Sequence, residues 1–422
     1  MRRFFAPRDS KMLVWMTRML VPVLVRIRHG RLDMSMSQQA MERFKSLSGK
    51  RTIICPNHPS REDADAMFGL SALVGESFNF MTAQQLFHGP TWSDLWLQYM
   101  GCYSVFRDSP DFSAYKTTRH LLVQGRKKIV IFPEGEISHQ NDTLLPLKTG
   151  AVQMGFAALS ALKLKGREDP VFIEPLAMKY VYSKDITRKI SQALERLEKQ
   201  LDMPRKRSGG LYERLLGIAD KVLGTLEATY NCASPQAATL GKRIGCLRAE
   251  ILAKVASYLE VELSPSDSQL QQAHALQNIL YELRFCRQPS ESLYERRQRR
   301  QRSRQLRSFY HDLKRVINFI AVFDGYLEDP STQERIAEVV GLLETEVFGR
   351  AFVLGPRQIL FDAGCPINLN DHFEEYLADR SKACARVNAL IKDELGDMLS
   401  NFDRQRSPVY VSMPSAPCHP FG

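Results

Sequence analysis

His58 and Asp63 are the two residues of this sequence best spaced to move a proton. They lie in Pro56-Asn57-His58-Pro59-Ser60-Arg61-Glu62-Asp63, directly after the apolar run Thr52-Ile53-Ile54-Cys55. That order puts an imidazole at the end of a buried strand and a carboxylate on the helical turn that follows. A carboxylate bonded to one ring nitrogen fixes the tautomer, and the other nitrogen is then free to take a proton from an attacking hydroxyl. Serine hydrolases use the same pair with the nucleophile on the enzyme; here the nucleophile would belong to a substrate. A histidine that merely caps a helix is the plainer account of an isolated His-x4-Asp, so the surrounding sequence has to decide.

Three further blocks follow in order. Gly101-Cys102-Tyr103-Ser104-Val105-Phe106-Arg107 is the first. After the apolar run Ile129-Val130-Ile131-Phe132 comes Pro133-Glu134-Gly135-Glu136-Ile137-Ser138. The last is Val171-Phe172-Ile173-Glu174-Pro175-Leu176-Ala177-Met178, an apolar strand interrupted by proline. Together the four blocks resemble the glycerolipid acyltransferase family of lysophosphatidic acid acyltransferase type, whose pattern runs NHxxxxD, G-x5-R, FPEG-x-S and an apolar strand with proline. The resemblance covers about residues 10–182 and again 353–400.

The resemblance implies transfer of a fatty acyl group from a thioester, on coenzyme A or acyl carrier protein, to a lysophospholipid or glycerol-phosphate-type hydroxyl in phospholipid biosynthesis. It implies His58 as general base, Asp63 as its orienter and Arg107 as the grip on the acceptor's phosphate. Glu134 and Gly135 would shape the acceptor site, with Asn57, Ser138 and Lys148 as further substrate contacts. Physical chemistry gives the arginine and the glycine turn independent sense. A phosphate monoester carries close to two negative charges, which a guanidinium fork meets bidentately, and a glycine turn lets backbone N–H groups approach an anion.

One block departs from the family. Its third usually continues EGTRS, whereas Glu136 and Ile137 stand here at the threonine and arginine positions. Either His139, Lys148 or Arg61 supplies the missing cation, or the acceptor is not a simple glycerol phosphate.

The elements that must position these residues can be read from the periodicity. Between Ala40 and Tyr182, short apolar runs alternate with longer amphipathic ones, which predicts an α/β fold: a mixed sheet flanked by helices, the glycerolipid acyltransferase fold. His58 and Glu134 would both follow strand ends, where open α/β sheets place ligands. From Ser183 to Phe352 the apolar residues recur at helical spacing, as in Ile190, Leu194 and Leu197, or Leu247, Ile251 and Val255, which predicts about six helices. Asp267 is a candidate cap among them. Strand-like sequence returns at Arg357 to Asp362, followed by Gly364-Cys365-Pro366-Ile367 and a helix from His372 to Leu399. This resembles the closing strand, turn and helix of the same family, so the helices read as a large all-α insertion in one catalytic domain, the alternative being a separate carboxy-terminal domain. The expected divisions are a basic membrane-surface helical segment over 1–45, the α/β core over 46–182, the insertion over 183–352, the closing strand and helix over 353–402, and a disordered tail over 403–422.

Composition bounds the partners. The chain has 422 residues and a net charge of +11, with the excess positive charge gathered in two patches and the remainder slightly acidic. Residues 1–31 hold eight basic side chains against Asp9 alone. They bracket an apolar segment, Met12 to Val25, too short to cross about 30 Å of hydrocarbon, which fits a helix lying on an anionic membrane surface or one packed on the catalytic domain. No small-residue cleavage site follows it. Arg296 to Arg307, built of Arg and Gln with Ser303 and Leu306, is a solvated helix or linker that could meet anionic headgroups or acyl carrier protein. Interleaved aromatics and nucleic-acid-binding motifs are missing from it, which argues against nucleic acid. The eight cysteines show neither zinc nor disulfide spacing, so no cofactor or metal is called for and the expected place is the cytoplasmic face of a membrane. The competing reading is an acyltransferase-fold scaffold that binds membranes without turnover.

Overall fold

A computed structural model describes residues 4–8, 10, 32–87, 91–204, 210–232, 238–285, 293–320, 322, 326, 331–406 and 408–411. In chain order the elements begin with β1 (Leu32–Met36), α1 (Gln38–Lys45), β2 (Arg51–Pro56), α2 (Asp63–Val74), β3 (Phe78–Ala83), α3 (Trp92–Tyr99) and β4 (Cys102–Val105). They continue with α4 (Phe112–Gln124), β5 (Lys128–Val130), α5 (Gly150–Lys163), β6 (Val171–Tyr182), α6 (Thr187–Gln200), α7 (Leu211–Tyr230), α8 (Leu240–Leu259), α9 (Gln269–Phe285) and α10 (Leu293–Asn318). The chain closes with β7 (Ser331–Thr332), α11 (Gln333–Phe348), β8 (Arg357–Ala363), β9 (Ile367–Asn368), α12 (Phe373–Ala378), α13 (Arg380–Gln405) and β10 (Tyr410–Val411). Two compact units result, one of residues 1–181 with 357–406 and the other of 182–356 with 407–422.

The first unit is a sheet of order β1-β8-β6-β2-β5-β3-β4, with β9 added antiparallel to β6. The pairs β1–β8, β6–β2, β2–β5, β5–β3 and β3–β4 are parallel. The fold is therefore a mixed, mostly parallel sheet flanked by helices. Alternation along the central strands feeds two cores. Ile53, Cys55, Ile129 and Ile173 join the apolar side of α5 and α13 on one face. Ile54, Val130, Leu176 and Met178 meet Phe44 of α1 and Met67 and Leu70 of α2 on the other.

In this topology β2 is the pivot, because its register with β5 (Ile54 opposite Val130) and with β6 (Pro56 opposite Leu176) brings three chain segments to one end of the sheet. The residues that leave β2 and β5 emerge side by side. β6 runs on past the end of β2, carrying Met178 and Tyr180 beyond it.

Several expected boundaries move. Residues 32–45, assigned to a membrane-surface segment, form edge strand β1 and helix α1 of the sheet unit; the Met12 to Val25 segment lies outside the described residues. Phe5 is buried, stacks on Phe87 at 4.7 Å and exchanges hydrogen bonds with Ser104 of β4. Residues 4–8 thereby cover the sheet's far edge, which would otherwise offer unpaired backbone groups. The helix expected from His372 to Leu399 is broken at Asp379, whose extended backbone and side-chain bond to the Lys382 N–H start α13 afresh. Nor is the tail without structure from residue 403. α13 reaches Gln405, and Tyr410–Val411 pairs antiparallel with β7.

The second unit is a helical bundle from α6 to α11. Its core includes Ile190, Leu194 and Leu197, Leu215, Ile218 and Val222, Leu247, Ile251 and Val255, and Ile336 and Val340. Ser268, not Asp267, caps α9 by accepting the Gln271 N–H. The Arg- and Gln-rich stretch lies on α10, with its side chains up to Arg304 outside the described residues. Among the described residues no helix is long and apolar enough to cross a membrane.

Candidate functional site

His58 is held at every handle but one. Its N–H donates to Glu134 Oε1 at 2.6 Å, and its carbonyl accepts from the Ser138 N–H at 2.9 Å. The ring stacks on Phe132 with centroids 4.1 Å apart and planes 25° from parallel. Nδ1 lies 2.7 Å from Asp63 Oδ2. An ionised carboxylate only accepts, so Nδ1 carries a proton, and in the neutral ring Nε2 keeps its lone pair. The ring keeps 20 % of its exposure, which leaves a substrate a way to reach it.

Asp63 opens α2 and is fully buried. Besides His58 it accepts the Ser60 N–H at Oδ2 (3.0 Å) and the Tyr180 hydroxyl at Oδ1 (2.7 Å). Burial pushes its carboxyl above the usual carboxylate range, and the bonds from His58, Ser60 and Tyr180 work against that rise. Tyr180 reaches it because β6 overshoots β2. Arg357 lies over the Tyr180 ring at 5.7 Å and grips both oxygens of Glu62 at 2.6 and 2.7 Å, which closes a second layer behind the pair.

Glu134 is 1 % exposed and divides its carboxylate between two backbone donors, His58 N–H and Leu145 N–H (2.8 Å). Burial pushes it up to about 7. Gly135 turns the chain at φ 70°, and a Cβ there would sit 2.7 Å from Lys148 Nζ. Side chains pay about 1–2 kcal/mol for a left-handed backbone. Gly135→Ala is therefore expected to destabilise by about that amount and to push Lys148 aside; an unchanged urea midpoint would count against this account of the turn.

The cations of the site already have counterions. Arg107, just past β4, donates to the Gly135 carbonyl (3.3 Å) and to Glu136 Oε2. Lys148 Nζ lies 2.7 and 2.8 Å from the two oxygens of Asp108. Arg61 is exposed within electrostatic reach of Glu136. His139 sits in the left-handed region at φ 59°. Among the described residues no group of His, Cys, Asp and Glu is placed to hold a metal ion.

Of the residues singled out in the sequence, Asp63, Glu134 and Ser138 each bond to His58, and Arg107, Gly135 and Lys148 lie on or beside the same turn as Glu134. Three of these face the protein rather than a substrate. Asn57 is buried and clasps the backbone of Met178, its amide nitrogen donating to the carbonyl at 2.9 Å and its oxygen accepting the N–H at 2.7 Å. Ser138 hydrogen-bonds the carbonyls of His58 and Gln140, and Glu134 clamps the two N–H groups already named. Sequence reading missed Phe132, Tyr180, Asn141, Asp108 and Glu136 as participants. The signal for Tyr180 was the two-residue period Leu176, Met178, Tyr180, which continues the face of Ile54. Asn141 repeats the Asn57 clasp on Tyr180, at 3.0 and 2.8 Å.

Residues 36–179 match the family model described as Acyltransferase. No curated protein matches the sequence.

Proposed function

With residues 36–179 forming a domain of the glycerolipid acyltransferase family, we propose that this protein moves a fatty acyl group from a thioester, on coenzyme A or acyl carrier protein, to the hydroxyl of a lipid at a membrane surface. The observation that carries this reading is the 2.7 Å contact of His58 Nδ1 with buried Asp63, which makes Nε2 the basic nitrogen of the neutral ring. Nε2 takes the hydroxyl proton as the alcohol oxygen attacks the thioester carbonyl. The C–O bond forms and the C–S bond breaks, the imidazolium returns the proton to the departing thiolate, and no acyl-enzyme is needed. Asp63 stabilises the imidazolium while it exists. Glu134 and Ser138 hold the His58 backbone while Asp63 and Phe132 hold its ring, so little reorganisation accompanies the transfer.

A membrane-surface acceptor is supported by apolar side chains on the segments that follow the carboxyl ends of β3 and β4, the same end of the sheet from which His58 emerges. Trp92 is 88 % exposed and Phe112 75 %, with Leu86 and Trp96 also open. Tryptophan and phenylalanine in such a place suit the headgroup layer.

The test is to incubate the protein with acyl-CoA, or acyl carrier protein loaded with the same chain, and vesicles bearing single-chain alcohol lipids. Ester product and free thiol should appear in equal amounts. Thiol release without ester product would overturn the transfer reading.

A further inference from the structure

The turn after β5 also states what kind of head group it can receive. We propose that the acceptor bears an uncharged, polyhydroxyl head, a glycerol or sugar, and not a phosphate monoester; this rests on the acyl-transfer reading of the same site.

Two cations stand where an anion would be gripped, and each is matched by a carboxylate. Arg107 and Glu136 pair with only 18 % and 9 % of their side chains exposed, and Arg107 also serves the Gly135 carbonyl. Lys148 is chelated by both oxygens of Asp108. Ile137 follows Glu136 and brings no charge, and its N–H donates to Glu136 Oε1, which steadies that carboxylate in the turn. Counting Arg61 as well, three cations stand against Glu136, Asp108, Asp63 and Glu134, whose carboxyl is raised to about 7, so the site holds no surplus positive charge while the imidazole is neutral.

A phosphate dianion entering here competes with Glu136 for Arg107 and with Asp108 for Lys148, and brings its charge beside both acids. Breaking a mostly buried ion pair that way is unfavourable. A hydroxyl asks for no such exchange. It donates to a carboxylate oxygen and accepts from a guanidinium or ammonium N–H, and it does both at an intact pair. Two such pairs flanking one glycine turn therefore offer a polyol several donors and acceptors at a site where a dianion meets repulsion.

The experiment uses full-length His58→Ala protein, which keeps the turn and does not consume its ligand. Monoacylglycerol and lysophosphatidic acid of one chain length are presented separately in phosphatidylcholine vesicles, at salt high enough to screen the basic patches elsewhere on the chain. The expected result is binding of the monoacylglycerol at least about tenfold tighter, a gap of about 1.4 kcal/mol. Equal binding, tighter binding of the lysophosphatidic acid, or no measurable preference overturns the proposal. Adding Glu136→Thr and Ile137→Arg to that protein should narrow or reverse the ratio by about tenfold; an unmoved ratio in a folded variant also overturns it, and the unaltered turn remains decisive if the variant does not fold. Failure of the transfer reading looks different: wild-type protein makes no ester from either lipid, whatever the binding ratio.

Discussion

His58→Ala is expected to lower kcat for ester formation by about 10²- to 10⁴-fold, the usual contribution of a positioned general base. No neighbour can substitute. Asp63 is sealed behind the ring, and Glu134 has both oxygens committed to backbone N–H groups. Asp63→Asn should be milder, by about 10- to 10²-fold, for a reason visible in the donors around it. The Ser60 N–H points at Oδ2 and the Tyr180 hydroxyl at Oδ1. An asparagine that turned its NH₂ toward Ser60 would set donor against donor, so its oxygen must take the Oδ2 place and go on accepting from His58 Nδ1. The NH₂ then faces the Tyr180 oxygen, which can accept. The tautomer survives and only the negative charge behind the imidazolium is lost. Single-turnover rates of the two variants test this, and an Asp63→Asn loss as deep as that of His58→Ala would show that the tautomer is not held by Ser60 and Tyr180.

Glu174→Gln is expected to stabilise the protein at alkaline pH. Glu174 lies in β6 opposite Ile54, fully buried, and neither carboxylate oxygen has a hydrogen-bond partner among the described residues. Burial pushes its carboxyl up to about 8, against the pull of Lys128 and Arg43 and with a further push from Glu394. A folded-state value raised above the unfolded 4.5 means that the folded chain holds a proton the unfolded chain has lost. Stability therefore falls as pH rises from about 4.5 to about 8, by no more than roughly 4–5 kcal/mol. The full cost is present above about 8 and absent below about 4.5. Glutamine keeps the shape and removes the ionisation, at the price of an unpaired amide worth about 1–3 kcal/mol. The variant should thus be about 2 kcal/mol more stable at pH 9 and no more stable at pH 4.5. Urea midpoints at those two pH values decide, and a difference that does not change with pH would mean Glu174 is ionised throughout.

Much of the site was legible because its residues fall where strands end. β2 and β5 are short continuous apolar runs, and the polar residues that close them, His58 and Glu134, could only emerge at the sheet's end. What could not be read were relations set by register. Asn57 looks like a substrate contact beside His58; that it clasps Met178 follows only once β6 is known to outrun β2. Glu136 could be seen as a departure from the family pattern, whereas its pairing with Arg107 depends on β4 and β5 lying on either side of β3. The five residues of β1 carry little apolar signal and pair with a strand more than three hundred positions later, so local periodicity hid them behind the stronger run at Met12 to Val25. In the second unit most helices were legible, since their cores repeat Ile, Leu and Val at three- and four-residue spacing; Arg296 to Arg307, read as helix or linker, has no such repeat and lies within α10.

The placement of β8 between β1 and β6 has a consequence for how the protein is made. When the ribosome has finished β6, the neighbour that shields that strand's outer side is still unsynthesised, and residues 182–356 must be added first. At about 5–20 residues per second, the half-built sheet waits roughly ten to thirty seconds with a gap where β8 belongs. The nascent catalytic half is thus open to wrong strand partners throughout the birth of the bundle, and any truncation before residue 357 would make that exposure permanent.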